Sequence, residues 1–186
     1  QAYATMLEEA RGEALGAEGV MVLPAFVRGT GPAQAHDPLG TILGLRTTTR
    51  RGQVVRATFE ATCFQLRQQL EAIERCHNIT AQTLRAVGGA QKNPLWLQMK
   101  ADVSGRPVQA PLHEEITLLG AAILAGVGAG VYRDVREALA TIPFPLVSYD
   151  PDPGRFERYA ELYARVYLKI AEALAPVYRE IHATAG

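Results

Sequence analysis

Gly88-Gly89-Ala90, followed at Asn93-Pro94 by a helix-starting pair, is the local pattern in this sequence most suited to chemistry. Glycines without a Cβ let the backbone approach a ligand closely, and the helix beyond them aims free N–H groups and its positive dipole end at the same spot. A phosphate or a nucleotide suits that geometry. Asn93 has two uses there: it can cap its own helix, worth about 1 kcal/mol, or offer its amide to an adenine or ribose. Local chemistry puts the cap first. The turn fails the dinucleotide fingerprint, because the third glycine and an acidic residue about 20 positions on are missing. Lys92 invites a phosphate role, but a lysine in an exposed loop is ordinarily solvated.

The other reactive side chains carry no comparable pattern. His36, His77, His113 and His182 show no metal-ligand spacing with one another or with the cysteines. Asp37, Asp102, Asp134, Asp150 and Asp152 fall in predicted loops or on helix surfaces, where structural roles are the rule. Cys63 and Cys76 sit in one predicted helix at a separation of about 20 Å, too far for a disulfide. They read as reduced thiols of a cytosolic protein. No catalytic residue and no metal site is expected within the chain.

The elements that must position the turn alternate between helix and strand, which makes the class α/β. Residues 2 to 11 suggest a helix closed near Gly12 and Gly16. Val20 to Leu23 has the length of a buried strand, and Gly29, Gly31, Pro32, Pro38 and Gly40 mark a long loop after it. From about Arg51 to Arg75 the positions Val55, Phe59, Cys63, Leu66, Leu70 and Ile73 recur at steps of three and four, the stripe of an amphipathic helix. Arg56, Glu60, Gln68 and Glu71 form its other face. Thr83 to Val87 predicts a strand running into the glycines, and the helix begun at Asn93 carries Leu95, Trp96, Met99 and Val103. Pro107 to Ala110 reads as a short edge strand. Ile116 to Ala129 reads as a buried, closely packed helix, Asp134 to Ala140 as a short helix, and Phe144 to Tyr149 as an extended segment. The last helix runs from about Gly154 to His182, with a kink before Pro176.

Composition bounds the function classes. The 186 residues allow one sizeable domain, and 48% hydrophobic with 20% charged residues is a globular balance. Nineteen basic against nineteen acidic residues leave none of the net positive charge that binding to nucleic acid or an anionic membrane usually needs. Ile116 to Tyr132, the longest uncharged run, is too short and too rich in glycine and alanine to span a bilayer. A cytoplasmic protein without nucleic-acid or membrane partners is expected, and homo-oligomerisation is left open. Gln1 in place of a methionine, inside a helix-like stretch, reads as part of a larger polypeptide.

Several segments together resemble the C-terminal domain of the FGGY carbohydrate kinases. GTILGLRTTTRRGQVVRATFE, from Gly40 to Glu60, matches the family's second signature through Gly40, Ile42, Gly44, Leu45, Gln53, Val54, Ala57, Thr58, Phe59 and Glu60. Val87 to Val108 resembles the family's adenosine-binding turn and helix, Glu114 to Tyr132 its alanine-glycine helix, and the tail from Tyr149 its closing helix. The resemblance implies the C-terminal half of an actin-like, ribonuclease H-like ATPase fold, a central sheet with packed helices. Residues 1 to 186 would be most of that domain, without the N-terminal sugar-binding and catalytic domain.

By that resemblance Gly88, Gly89 and Ala90 line an adenosine pocket and Asn93 lies beside the adenine, with Thr117 and Gly120 nearby. The small residues Gly120, Ala121, Ala122, Ala125 and Gly126 let their helix pack tightly on the sheet. The implied reaction moves the γ-phosphoryl of ATP, with Mg²⁺, to a hydroxyl of a small ketose-type sugar, while an aspartate accepts the proton. That aspartate belongs to the absent domain, so the chain by itself should be inactive. Arg28-Gly29-Thr30-Gly31-Pro32 stands where xylulose kinases and many relatives have Ser-Gly-Glu-Arg, which weakens a xylulose or glycerol kinase reading. Met6 to Val20 and the Ala57 to Leu70 helix look more like fuculose kinases. The rival class is a non-catalytic actin-like nucleotide-binding or assembly module, and an NAD-type enzyme comes third.

Overall fold

A computed structural model describes residues 2–26, 37–112 and 115–184. His36, His113 and the segment Arg28-Gly29-Thr30-Gly31-Pro32 lie outside the described residues.

Helix α1 (Ala2–Gly12) leads through a short turn to β1 (Met21–Leu23), whose three residues are all buried. β1 pairs antiparallel with β2 (Thr41–Leu43), Met21 opposite Leu43. The sequence reading did not anticipate β2, because three residues between Gly40 and Gly44 are too few to show a period. Its close approach to the preceding turn is made at Gly44, where φ is +78° and a Cβ would stand 2.1 Å from the carbonyl oxygen of Gly19.

Helix α2 (Arg51–His77) is the spine of the molecule and touches α1, β1 and α3 (Pro94–Ser104). It starts where Gln53 Oε1 accepts the Arg50 N–H at 2.8 Å, one half of a capping box. Its buried face differs from the expected stripe. Ala57, Ala61, Cys63 and Phe64 are buried, Ile73 at the far end of the stripe is exposed, and Glu60 of the expected outer face is only 1% exposed. Small alanines let neighbouring helices close on this side, and Glu60 can go in with them because it is paired there.

The strands on the other side form a second small sheet in the order β3 (Leu84–Arg85), β4 (Val108–Pro111), β5 (Leu146–Tyr149). β3 and β4 are parallel, and β4 and β5 antiparallel. β4 is therefore the central strand, where an edge strand was expected. β5 supplies its second neighbour from nearly forty residues downstream, a pairing that no local pattern announces.

Helix α4 (Ile116–Gly128) corrects the packed-helix expectation. Ile123 is its buried residue, Leu118 and Leu124 are 64% and 65% exposed, and Gly120, Ala121, Ala122 and Ala125 face solvent. Three short strands offer little surface, and α4 lies against α5 (Val135–Thr141) instead. Gly126 lies against the ring of Tyr132, whereas a Cβ at Gly120 would meet no atom within 4 Å.

The chain closes with α6 (Pro153–Leu162), a π-helical turn at Tyr163–Tyr167, and α7 (Leu168–Thr184). Asp152 Oδ1 caps α6 by accepting the Arg155 N–H at 2.8 Å, with Pro153 at the first position. The irregular winding thus falls at Tyr163–Tyr167, and α7 runs on through Pro176. A wider turn offsets the drift of an every-fourth-residue row. It brings Tyr159, Tyr163 and Tyr167 to the same ring, Phe64, at 5.9, 5.9 and 5.0 Å. No helix among the described residues is long and apolar enough to cross a membrane.

Candidate functional site

β3 ends at Arg85, and residues Gly88–Lys92 wind into a 3-10 turn that delivers the chain to α3. Strand, glycine turn and helix therefore follow one another as expected. Gly88 has φ +79°, a left-handed conformation that glycine adopts without strain. At both Gly88 and Gly89 a Cβ would meet no atom within 4 Å, so the space above them is open. Ala90 is part of the same turn by its backbone. Lys92 is exposed.

Asn93 is the cap of α3: its Oδ1 accepts the Trp96 N–H at 3.1 Å. Its Nδ2 donates to the phenol oxygen of Tyr3 at 3.2 Å, and the whole residue is 1% exposed. The capping use is thus present in the structure, and the amide faces a neighbour that is itself half open to solvent. Tyr3, on α1, was not singled out in the sequence, because nothing local ties it to a residue ninety positions later.

Trp96 fixes the helix that carries the turn. Its Nε1–H donates to Thr62 on α2 at 2.9 Å, its ring lies 5.5 Å from Phe59, and the Lys100 ammonium sits 4.1 Å above it. The other end of α3 is held by Asp102, expected on a helix surface and found 2% exposed. Asp102 Oδ1 accepts from Gln98 Nε2 and from the Asp152 N–H, both at 2.9 Å, which ties α3 to the start of α6. Full burial is tolerated because every donor it meets is aimed at it.

Beneath these helices lies an ionic centre. Glu60 Oε1 accepts from the Gly16 N–H, Arg56 Nε and the Tyr159 hydroxyl at 3.1, 2.9 and 2.9 Å. Arg56 also reaches Tyr159 and the backbone carbonyl of Glu13. Glu60 Oε2 has no hydrogen-bond partner among the described residues. Burial pushes the Glu60 carboxyl above its ordinary range against the pull of Arg56. Gln53 and Glu60, two polar positions of the sequence signature, therefore serve a helix start and a buried junction.

Among the described residues no group of three or more His, Cys, Asp or Glu stands close enough to hold a metal. Thr117 and Gly120 lie in the first turns of α4, both exposed.

With the glycine turn and its supports in place, comparison with known proteins assigns the architecture. The sequence profile of the FGGY family of carbohydrate kinases, C-terminal domain, matches residues 2–129. The chain belongs to the FGGY family. Glycerol kinase of Listeria welshimeri is 42% identical over 120 residues, which cover 64% of this chain and 24% of that one. Xylulose kinase from Rhodospirillum rubrum superposes with a TM-score of 0.77 at 28% identity, over 96% of this chain and 35% of that one. Glycerol kinase of Plasmodium falciparum, solved with ADP, superposes with a TM-score of 0.69 at 24% identity and shares the fold. The chain thus spans between a quarter and about a third of the length of these FGGY relatives. The α/β class and the actin-like FGGY fold agree with the sequence reading. Its fuculose subgroup finds no support: these relatives are glycerol and xylulose kinases.

Proposed function

We propose that this chain is the nucleotide-binding C-terminal domain of a longer kinase that moves the γ-phosphoryl of ATP to a hydroxyl of a small polyol or sugar. The open space above Gly88 and Gly89, in a domain of the FGGY family, is the observation that carries this reading. A ligand can approach the backbone at these two positions more closely than any residue with a Cβ would allow. Gly88 and Gly89 would form the floor of the nucleotide pocket, with Ala90 beside them, and Asn93 would border it. Since Asn93 is already bonded to Trp96 and Tyr3, it would read an adenine by exchanging Tyr3 for the base while keeping its cap.

A bound nucleotide would supply the transferable phosphoryl group, and Mg²⁺ held by its phosphates would spread their charge. This chain's residues bind and orient: α3, clamped by Trp96 to α2 and by Asp102 to α6, holds the turn in place. The base that takes the acceptor's proton would come from the rest of the polypeptide.

Glycerol is the acceptor favoured here over fuculose, because relatives at 40 to 42% identity are glycerol kinases. The test is a panel of glycerol, xylulose, gluconate and fuculose with ATP and the full-length protein. Glycerol turnover well above the others is expected. A protein that binds ATP and phosphorylates none of them would instead be a nucleotide-binding assembly module.

A further inference from the structure

Between α1, α2, α3 and α6 opens a cavity of ≈ 450 Å³ that shares no lining residue with the glycine turn. Four guanidinium groups line it, Arg11, Arg56, Arg155 and Arg158, against two carboxylates, Glu13 and Asp102. Both carboxylates are already engaged. Glu13 is gripped by Arg50 through contacts of 2.7 and 3.1 Å. Asp102 accepts from Gln98, from the Asp152 N–H and from Arg155.

The cations are less fully used. Arg56 is turned inward to Glu60, Tyr159 and backbone carbonyls. Arg155 makes a 3.3 Å contact with Asp102 and leaves 57% of its side chain exposed. Arg11 holds Glu8 at 3.4 Å on the surface. Arg158, also on the cavity wall, forms no hydrogen bond or ion pair among the described residues. The walls therefore carry positive charge in excess, over an apolar floor from Leu15, Leu95 and Met99.

That combination selects a ligand class. Guanidinium forks bind phosphate oxygens in pairs, and a concave site with a low-dielectric floor concentrates their field. The volume lies in the range of small-molecule sites and exceeds what a bare oxyanion fills. We propose that this cavity binds a small phosphate ester, its phosphate held by Arg158, Arg155 and Arg11 and its carbon skeleton laid against Leu95 and Met99. The site is separate from the glycine turn and does not depend on the nucleotide reading.

The test uses the full-length protein, with ribose 5-phosphate as probe, ribose as the neutral control and sulfate at matched ionic strength. Calorimetric titration and thermal unfolding read the result for the wild type, Arg158→Gln, Arg11→Gln and Gly89→Ala. Arg158 has no hydrogen bond or ion pair among the described residues and is exposed, so Arg158→Gln should melt within a few degrees of the wild type in buffer. Ribose 5-phosphate should bind and raise the melting temperature, and Arg158→Gln should weaken it about tenfold, the effect of one charge-assisted contact. Arg11→Gln should weaken it as well, and Gly89→Ala should bind it like the wild type. Equal affinity in wild type and Arg158→Gln, sulfate matching the ester, or loss of binding in Gly89→Ala would each overturn the assignment.

Discussion

The phenol of Tyr159 donates to Oε1 of Glu60 at 2.9 Å across a sequence distance of 99 residues. Arg56 touches both, and the Gly16 N–H closes the group. Through these four residues α6, the long helix α2 and the turn before β1 share one buried ionic junction.

Truncating that junction leaves Arg56, the Tyr159 hydroxyl and the Gly16 N–H without their common acceptor. Glu60→Ala should therefore cost about 3 kcal/mol or more in urea unfolding. Glu60→Gln keeps an acceptor oxygen in place and should cost clearly less.

The same carboxyl sets a pH dependence. Its folded pKa is raised by burial above the reference value of 4.5, so the folded state holds this proton more tightly than the unfolded state. Stability then falls as pH rises from 4.5 through the raised value. Glu9 and Glu13, lowered chiefly by hydrogen bonds from Arg51 and Arg50, act in the opposite sense and below that window. Unfolding free energies between pH 4.5 and neutrality should decline for the wild type and stay flatter for Glu60→Gln. Parallel curves for the wild type and Glu60→Gln through this range would contradict a raised Glu60 pKa.

Gly88 and Gly89 separate conformation from space. Gly88→Ala forces a side chain into the left-handed region and should destabilise by about 1 kcal/mol. Gly89 has no such φ and open surroundings. Gly89→Ala should leave stability within about 0.5 kcal/mol and still weaken nucleotide binding by the full-length protein, measured by calorimetry.

Asn93 is tested by a pair of variants. Asn93→Ala loses the cap and should cost about 1 kcal/mol. Asn93→Asp retains an oxygen for the Trp96 N–H and loses the donor to Tyr3. If the amide reads the base, Asn93→Asp raises the Michaelis constant for ATP in the full-length protein while its melting temperature holds within a few degrees.

The two cysteines should differ sharply. Cys63 is 1% exposed and its thiol is pushed up to about 12 by burial, whereas Cys76 near the end of α2 is exposed. A thiol reagent should modify one cysteine per folded chain and both after denaturation.

What the sequence made legible was whatever depends on neighbours. Asn93-Pro94 marks a helix start with chemistry contained in four residues, and the glycines before it need no distant partner. Glu60 was misplaced because periodicity assigns a charged residue to the outer face, while its burial depends on Tyr159 and Arg56 closing over it. β4 reads as an edge in the sequence because its second neighbour, β5, is remote. α4 has the composition of a packed helix, yet burial also requires a facing surface, and three short strands do not provide it. Tyr3 beside Asn93 and the arginines around the cavity are likewise long-range meetings.

Position 44 shows the strictest consequence of the fold. A single added carbon there would collide with the backbone oxygen of Gly19 at 2.1 Å, and backbone cannot step aside as a flexible side chain does. A saturation library at this codon should return glycine alone among soluble clones, while Ile42 and Leu45, both exposed, accept many replacements. Mutational tolerance along β2 should thus switch within two residues, from nearly free at Ile42 to closed at Gly44.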